Sequence, residues 1–182
     1  MEGFDFQLVI DFWFHEIAPA SRWKKDPSFD ALIRKRFLSF HTAAAGGELF
    51  HWREEPEGRL AEIIILDQFS RNIFRGKPAS FLYDSMSLIL AQEALAAGID
   101  SALPPDKKAF IYMPFMHSES ALIHEIALKL FSQPGLESNL DWEIKHKAVI
   151  DRFGRYPHRN EILGRKSTTE ELAFLAQRGS SF

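Results

Sequence analysis

The sequence predicts an all-α fold of about seven or eight helices. Three observations carry that expectation. Apolar residues recur at helical spacing, as in Phe29, Ile33, Phe37 and Phe40, which form one stripe along a helix. Proline and glycine fall where helices start and stop. No segment alternates apolar and polar residues between hairpin turns, the pattern of a half-buried strand.

The elements follow in order. Phe4 to Phe14 is dense in apolar residues, with Asp5, Gln7 and Asp11 on a polar side, and reads as a short, largely buried helix. His15 to Pro27 is a loop. Asp26 or Ser28 caps the second helix, which runs to about Ala45 and stops at Gly46-Gly47. Pro56 and Glu57 suit a first helical turn. Leu60 to Phe74 then reads as a helix around Ile63-Ile-Ile-Leu66, ended by Gly76. Pro78 opens the next, which extends to about Ala97 before Gly98. Pro104-Pro105 marks a further start, Pro114 a kink or break, and Pro134-Gly135 a stop. Asp141 to Phe153 is helical. Ser167-Thr-Thr-Glu170 has the spacing of a capping box and opens a last helix through Gln177, closed by Gly179.

Composition bounds what such a chain can be. The 182 residues fit one helical domain over 1–182, long enough to bury a substantial core. Seventeen phenylalanines point to a core of packed rings. The net charge of −3 argues against a dedicated nucleic-acid binder, which carries a basic balance. With no cysteine, thiolate metal sites, disulfides and cysteine nucleophiles are excluded. No run approaches a membrane span, and no secretory signal opens the chain, so a cytoplasmic location is the expectation.

Three stretches concentrate functional side chains. Arg152-Phe-Gly-Arg-Tyr-Pro-His-Arg-Asn160 holds three arginines, a histidine and an asparagine with no carboxylate. Such a loop needs negative charge nearby, from Asp67, Glu119 or Asp151, or from a ligand. That makes Arg152, Arg155, His158, Arg159 and Asn160 candidate anion-binding residues. In Asp67-Gln-Phe-Ser-Arg-Asn-Ile-Phe-Arg-Gly76, residues Asp67, Arg71 and Arg75 are spaced i, i+4, i+8 along one side of a helix. They read as an arginine pair held by Asp67 for a carboxylate or phosphate, or as an ordinary ion pair at a helix end. Met113-Pro-Phe-Met-His-Ser-Glu119 offers His117 and Glu119 as candidate acid–base residues, since a histidine titrates near neutrality. The plain alternative is a histidine that fixes a helix contact.

Other chemistries find little support. His124-Glu125 lacks the second histidine of a zincin. Glu48-x-x-His51 and Glu143-x-x-His146 fit the spacing of di-iron bundles, but a short motif of this kind arises easily by chance and needs further glutamates. No metal site or cofactor is expected, and no Gly-x-Ser-x-Gly elbow or phosphate-binding glycine loop occurs. Trp13, Trp23 and Trp52 have the look of exposed rings available for stacking.

The quoted segments, together with Asp11-Phe-Trp-Phe14, Leu66 before the second stretch, Tyr112 before the third and Glu161-Ile-Leu-Gly-Arg165 after the first, resemble the bacterial and fungal family DUF924. The resemblance covers nearly the whole chain. It implies a tetratricopeptide-like stack of antiparallel helix pairs and no defined activity. The chain departs from the family at Ile123-His-Glu-Ile126, where members carry an acidic segment such as Asp-Gln-Glu-Arg. Two readings of function stand side by side. In one, the three stretches surround a small anionic ligand, with His117 and Glu119 available for proton transfer. In the other, helix pairs present a groove to a protein or peptide partner and the polar stretches lock helices together.

Overall fold

A computed structural model describes residues 3–180, and every regular element in them is helical. Helix α1 spans Phe6–Asp11, capped by the Asp5 side chain, and continues as a π-helical turn over Phe12–Glu16. Helix α2 covers Pro27–Ala45, with Asp26 accepting from the Ser28 and Phe29 amides at 2.8 and 3.3 Å. Helix α3 begins as Pro56–Ile64, passes through a π-helical turn at Ile65–Phe69, and ends as Ser70–Ile73. Then come α4 (Asp84–Ala96), α5 (Pro105–Met116), α6 (Ala121–Phe131), α7 (Glu137–Phe153) and α8 (Thr169–Leu175).

Helix α3 is the centre of the molecule. It packs on α1, α2, α4 and α5, and the helices after it pack pairwise, α4 on α5, α5 on α6, and α6 on α7. Leu60 to Phe69 is buried at every position, so the helix needs no polar face. The polar members of that run are therefore paired. Glu62 accepts two bonds of 2.7 Å from Arg53, and Asp67 and Gln68 pair as described below.

Rings fill the space between α1, α2 and α3. Phe37 lies 4.9 Å from both Phe12 and Phe69, and Trp13 lies 5.4 Å from Phe69. Such pairs add roughly 0.5–1.5 kcal/mol each beyond their area burial. Phe29, Ile33, Phe37 and Phe40 all face this core, as their spacing predicts.

Several boundaries differ from expectation. Pro78 opens only a 3₁₀ turn, Pro78–Ser80, and α4 starts at Asp84. Pro114 does not break α5; it lies in the last turn, and the helix stops two residues later at Met116. Helix α7 starts at Glu137, four residues before Asp141. The capping box is real but shifted by one: Thr168 Oγ1 accepts from the Glu171 amide and Glu171 accepts from the Thr168 amide. Trp13 and Trp52 are core residues; of the three rings expected at the surface, Trp23 is exposed. No helix among the described residues is long and apolar enough to cross a membrane.

Candidate functional site

The site is built where α3, the start of α4, the end of α5 and the turn Pro157–Arg159 meet. The π-helical turn at Ile65–Phe69 inserts an extra residue into α3 and turns Asp67 and Gln68 both inward. Helix α5 ends at Met116, leaving His117 as its cap residue beside Asp67. His117 Nδ1 lies 2.8 Å from Asp67 Oδ1 and 3.0 Å from Oδ2. Gln68 donates to Asp67 Oδ2 at 2.6 Å, and Arg71 reaches Oδ1 at 3.2 Å.

These partners decide the charge of each group. Burial opposes ionisation of Asp67, but Arg71 and His117 outweigh it and hold the carboxyl well below the usual range. His117 moves down, chiefly by burial and then by Arg71, so it is neutral at pH 7. An ionised carboxylate only accepts. The proton of a neutral His117 therefore sits on Nδ1, facing Asp67, and Nε2 carries the lone pair. No group among the described residues bonds to Nε2, and the side chain is 15% exposed.

Two guanidiniums stand beside this pair. Arg71 donates to Asp84 Oδ1 and Oδ2 at 3.0 and 3.1 Å. Arg159 donates to Asp84 Oδ2 and to the His117 carbonyl, both at 3.0 Å. Its guanidinium lies between the rings of Phe81 and Tyr156, 4.6 Å from each. Arg159 is 6% exposed and its Nε is buried without a partner. Burial, followed by repulsion from Arg71, lowers its pKa.

Behind this cluster lie more histidines. Tyr156 has the rings of His146 and His158 at 5.7 and 5.5 Å, and its hydroxyl meets the Met116 carbonyl at 2.5 Å and His124 Nε2 at 3.2 Å. His124 Nδ1 lies 2.6 Å from Glu143 Oε1, both residues fully buried. Burial pushes His146 down to about 3 and His158 down to about 4, so both are neutral at pH 7. No grouping of three His, Asp or Glu among the described residues is arranged to hold a metal ion.

The predicted residues divide into two sets. Asp67, Arg71, His117, His158 and Arg159 come together. Glu119 lies at the edge of the cluster, where it accepts from the Tyr156 amide at 2.7 Å and from Arg165 at 2.6 and 2.9 Å. Asn160 is behind it, accepting from Arg165 at 2.9 Å. The other three arginines are elsewhere. Arg75 pairs with Asp30 of α2 at 2.5 and 2.8 Å, because α3 ends at Ile73 and Arg75 leaves the face shared by Asp67 and Arg71. Arg152 pairs with Glu170, and Arg155 with Glu171 at 2.7 and 2.8 Å, fastening α8. Asp151 pairs with Lys147 and serves none of these arginines. A shallow groove of about 820 Å³ lies on α2, bordered by Arg34, Leu38 and Glu48 among others, and none of the predicted residues lines it.

Sequence reasoning missed Asp84, Phe81, Arg165 and Gln68. Asp84 had no signal, since the residues it joins lie 13 and 75 positions away. Gln68 adjoins Asp67 and Arg165 follows the Arg152–Asn160 stretch, but nothing in their spacing singles them out.

Fold and cluster together define an all-helical protein in which a buried aspartate holds a partly exposed histidine beside two arginines. Residues 9–179 match the family described as "Bacterial protein of unknown function (DUF924)", and the chain belongs to that family. A solved structure, the protein of unknown function ATU0120 from Agrobacterium tumefaciens, is similar to it at 38% identity and a TM-score of 0.89, over 94% of this chain and 96% of that one. No curated protein matches the sequence.

Proposed function

We propose that the protein binds a small anionic molecule against Arg71 and Arg159 and that His117 exchanges a proton with it. The observation that carries this reading is the Asp67–His117 pair, with Nδ1 bonded to a buried carboxylate and Nε2 unbonded on a partly exposed side chain. A histidine whose other nitrogen is held by a carboxylate has a fixed tautomer and orientation, which suits a general base. Glu119 is less suited to the same role, because Arg165 and the Tyr156 amide occupy its oxygens and hold its pKa down against burial.

The test is thermal denaturation with a panel of small carboxylates and phosphates. The reading expects at least one to raise the wild-type midpoint in a saturable way. His117→Gln and Arg71→Gln, each folded by circular dichroism, would lose that response. If no anion acts, or if both variants respond as the wild type does, the reading is wrong.

A second reading is favoured by the self-pairing of Arg75, Arg152, Arg155 and Arg165. In it the fold is a tetratricopeptide-like interaction module for a protein or peptide, and these stretches lock its helices. Under that reading the same variants lose stability, and no small anion changes the melting of any of them.

A further inference from the structure

The cluster carries two positive and two negative charges: Arg71 and Arg159 against Asp67 and Asp84. The charges balance, so an incoming anion competes for the guanidiniums with one of the two carboxylates. They are not equally held. The Asp67 side chain is 1% exposed and bonded to His117, Gln68 and Arg71, within the longest buried run among the described residues. The Asp84 side chain is 18% exposed and stands in the first turn of α4, directly after the turns of residues 81–83. Its two oxygens take the fork of Arg71 in the bidentate geometry that a carboxylate makes with a guanidinium, while Oδ2 also takes Arg159. Arg159 itself keeps a buried Nε with no partner, so Asp84 does not use all the donors present.

We infer that Asp84 is a built-in occupant of the ligand's acid subsite, and that the molecule bound there presents a carboxylate, which takes Arg71 and Arg159 from Asp84. This rests on the reading that the cluster is a ligand site, and adds to it the ligand's acid group and the residue that competes for its place. The acid group is assigned as a carboxylate because a planar two-oxygen group already fits between the two guanidiniums. A guanidinium fork also takes two oxygens of a phosphate, so the assignment rests on the carboxylate geometry that Asp84 already shows, and phosphate is the competing outcome of the test. Affinity in the resting protein is then set partly by how readily Asp84 leaves. Asp84→Asn keeps the shape of the side chain and removes the charge that competes.

The experiment is calorimetric titration of succinate and of inorganic phosphate into wild type, Asp84→Asn and Asp84→Asn/Arg159→Gln, with carboxyl ¹³C and histidine ¹⁵N resonances followed in the wild type. The inference expects succinate to bind Asp84→Asn at least tenfold more tightly than wild type, phosphate to gain less, and the double variant to lose the gain. In the wild type, saturation with succinate moves the Asp84 carboxyl resonance, a readout that needs no variant to fold. If succinate moves the His117 resonances but Asp84→Asn binds it no better and the Asp84 resonance stays fixed, the site stands and the role given to Asp84 is overturned. If neither anion binds any form, the inference falls together with the site reading. A larger gain for phosphate than for succinate overturns the carboxylate assignment.

Discussion

His117 and Asp67 are fifty residues apart in sequence and 2.8 Å apart in the fold. The contact joins the cap of α5 to the π-helical turn of α3, so it ties together the two helices that most of the molecule packs around. Its chemistry and its structural part are inseparable at Asp67.

Replacing Asp67 by asparagine should be among the most destabilising polar substitutions in the protein. It leaves Arg71 with one carboxylate fewer and sets an amide donor against either His117 Nδ1 or Gln68 Nε2, both of which find an accepting oxygen in the wild type. Breaking a buried ion pair from one side costs about 3–5 kcal/mol. The sign with pH follows from the depressed pKa of Asp67. Its contribution is complete above the unfolded value of about 4 and is lost as pH falls toward the folded one. Urea unfolding of the two forms should differ most above pH 4 and converge below it; equal midpoints at pH 7 would refute the pairing.

Three histidines should make the protein acid-sensitive in a different window. Burial holds His41 and His158 at about 4 and His146 at about 3. For a base with a lowered folded pKa, stability is complete above the unfolded value of about 6.5 and is lost as pH falls through the window down to the folded value. The slope reaches at most about 1.4 kcal/mol per pH unit for each fully buried group. Midpoints measured from pH 7 to pH 4 should therefore fall steadily, and ¹⁵N shifts should show all three rings neutral at pH 5. A flat profile over that range would show them charged or solvated.

How far the sequence carries such arguments depends on distance along the chain. The Asp67–Arg71 pair was legible because i, i+4 spacing on a helix places two side chains together. Arg75 extends the same spacing on paper, yet it falls two residues beyond the end of α3 and turns to Asp30. The negative charge that Arg159 requires was predicted, but its source was not. Asp84 is 75 residues away, and an expected helix start at Pro78 would have buried it inside a helix instead of at its first turn. The π-helical turn that aims Asp67 inward has no sequence signature at all.

Gly58 tests the packing of α3 independently of any charge. A Cβ there would stand 2.1 Å from the Trp52 carbonyl oxygen, a backbone atom that cannot move aside cheaply. Gly58→Ala should cost about 3 kcal/mol, the upper end of overpacking penalties. Denaturant titration showing a change below about 0.5 kcal/mol, the range of a surface substitution, would mean the 3₁₀ turn Phe50–Glu54 does not lie against α3 as described.

Arg155 separates fastening from binding. It donates to both oxygens of Glu171, and Glu171 closes the capping box of α8. Arg155→Ala should speed hydrogen exchange at residues 169–175 while leaving any anion response intact. Exchange unchanged in α8, or loss of the anion response, would contradict the division between the two sets of arginines.

The most direct measurement is the tautomer of His117, read from long-range ¹H–¹⁵N correlations in histidine-labelled protein at pH 7. His117 should show a neutral ring with the proton on Nδ1, an unprotonated Nε2, and a titration midpoint below 6.5, the ordinary histidine value. A proton on Nε2, or an imidazolium at pH 7, would leave Nε2 without a lone pair and would contradict the role given to His117.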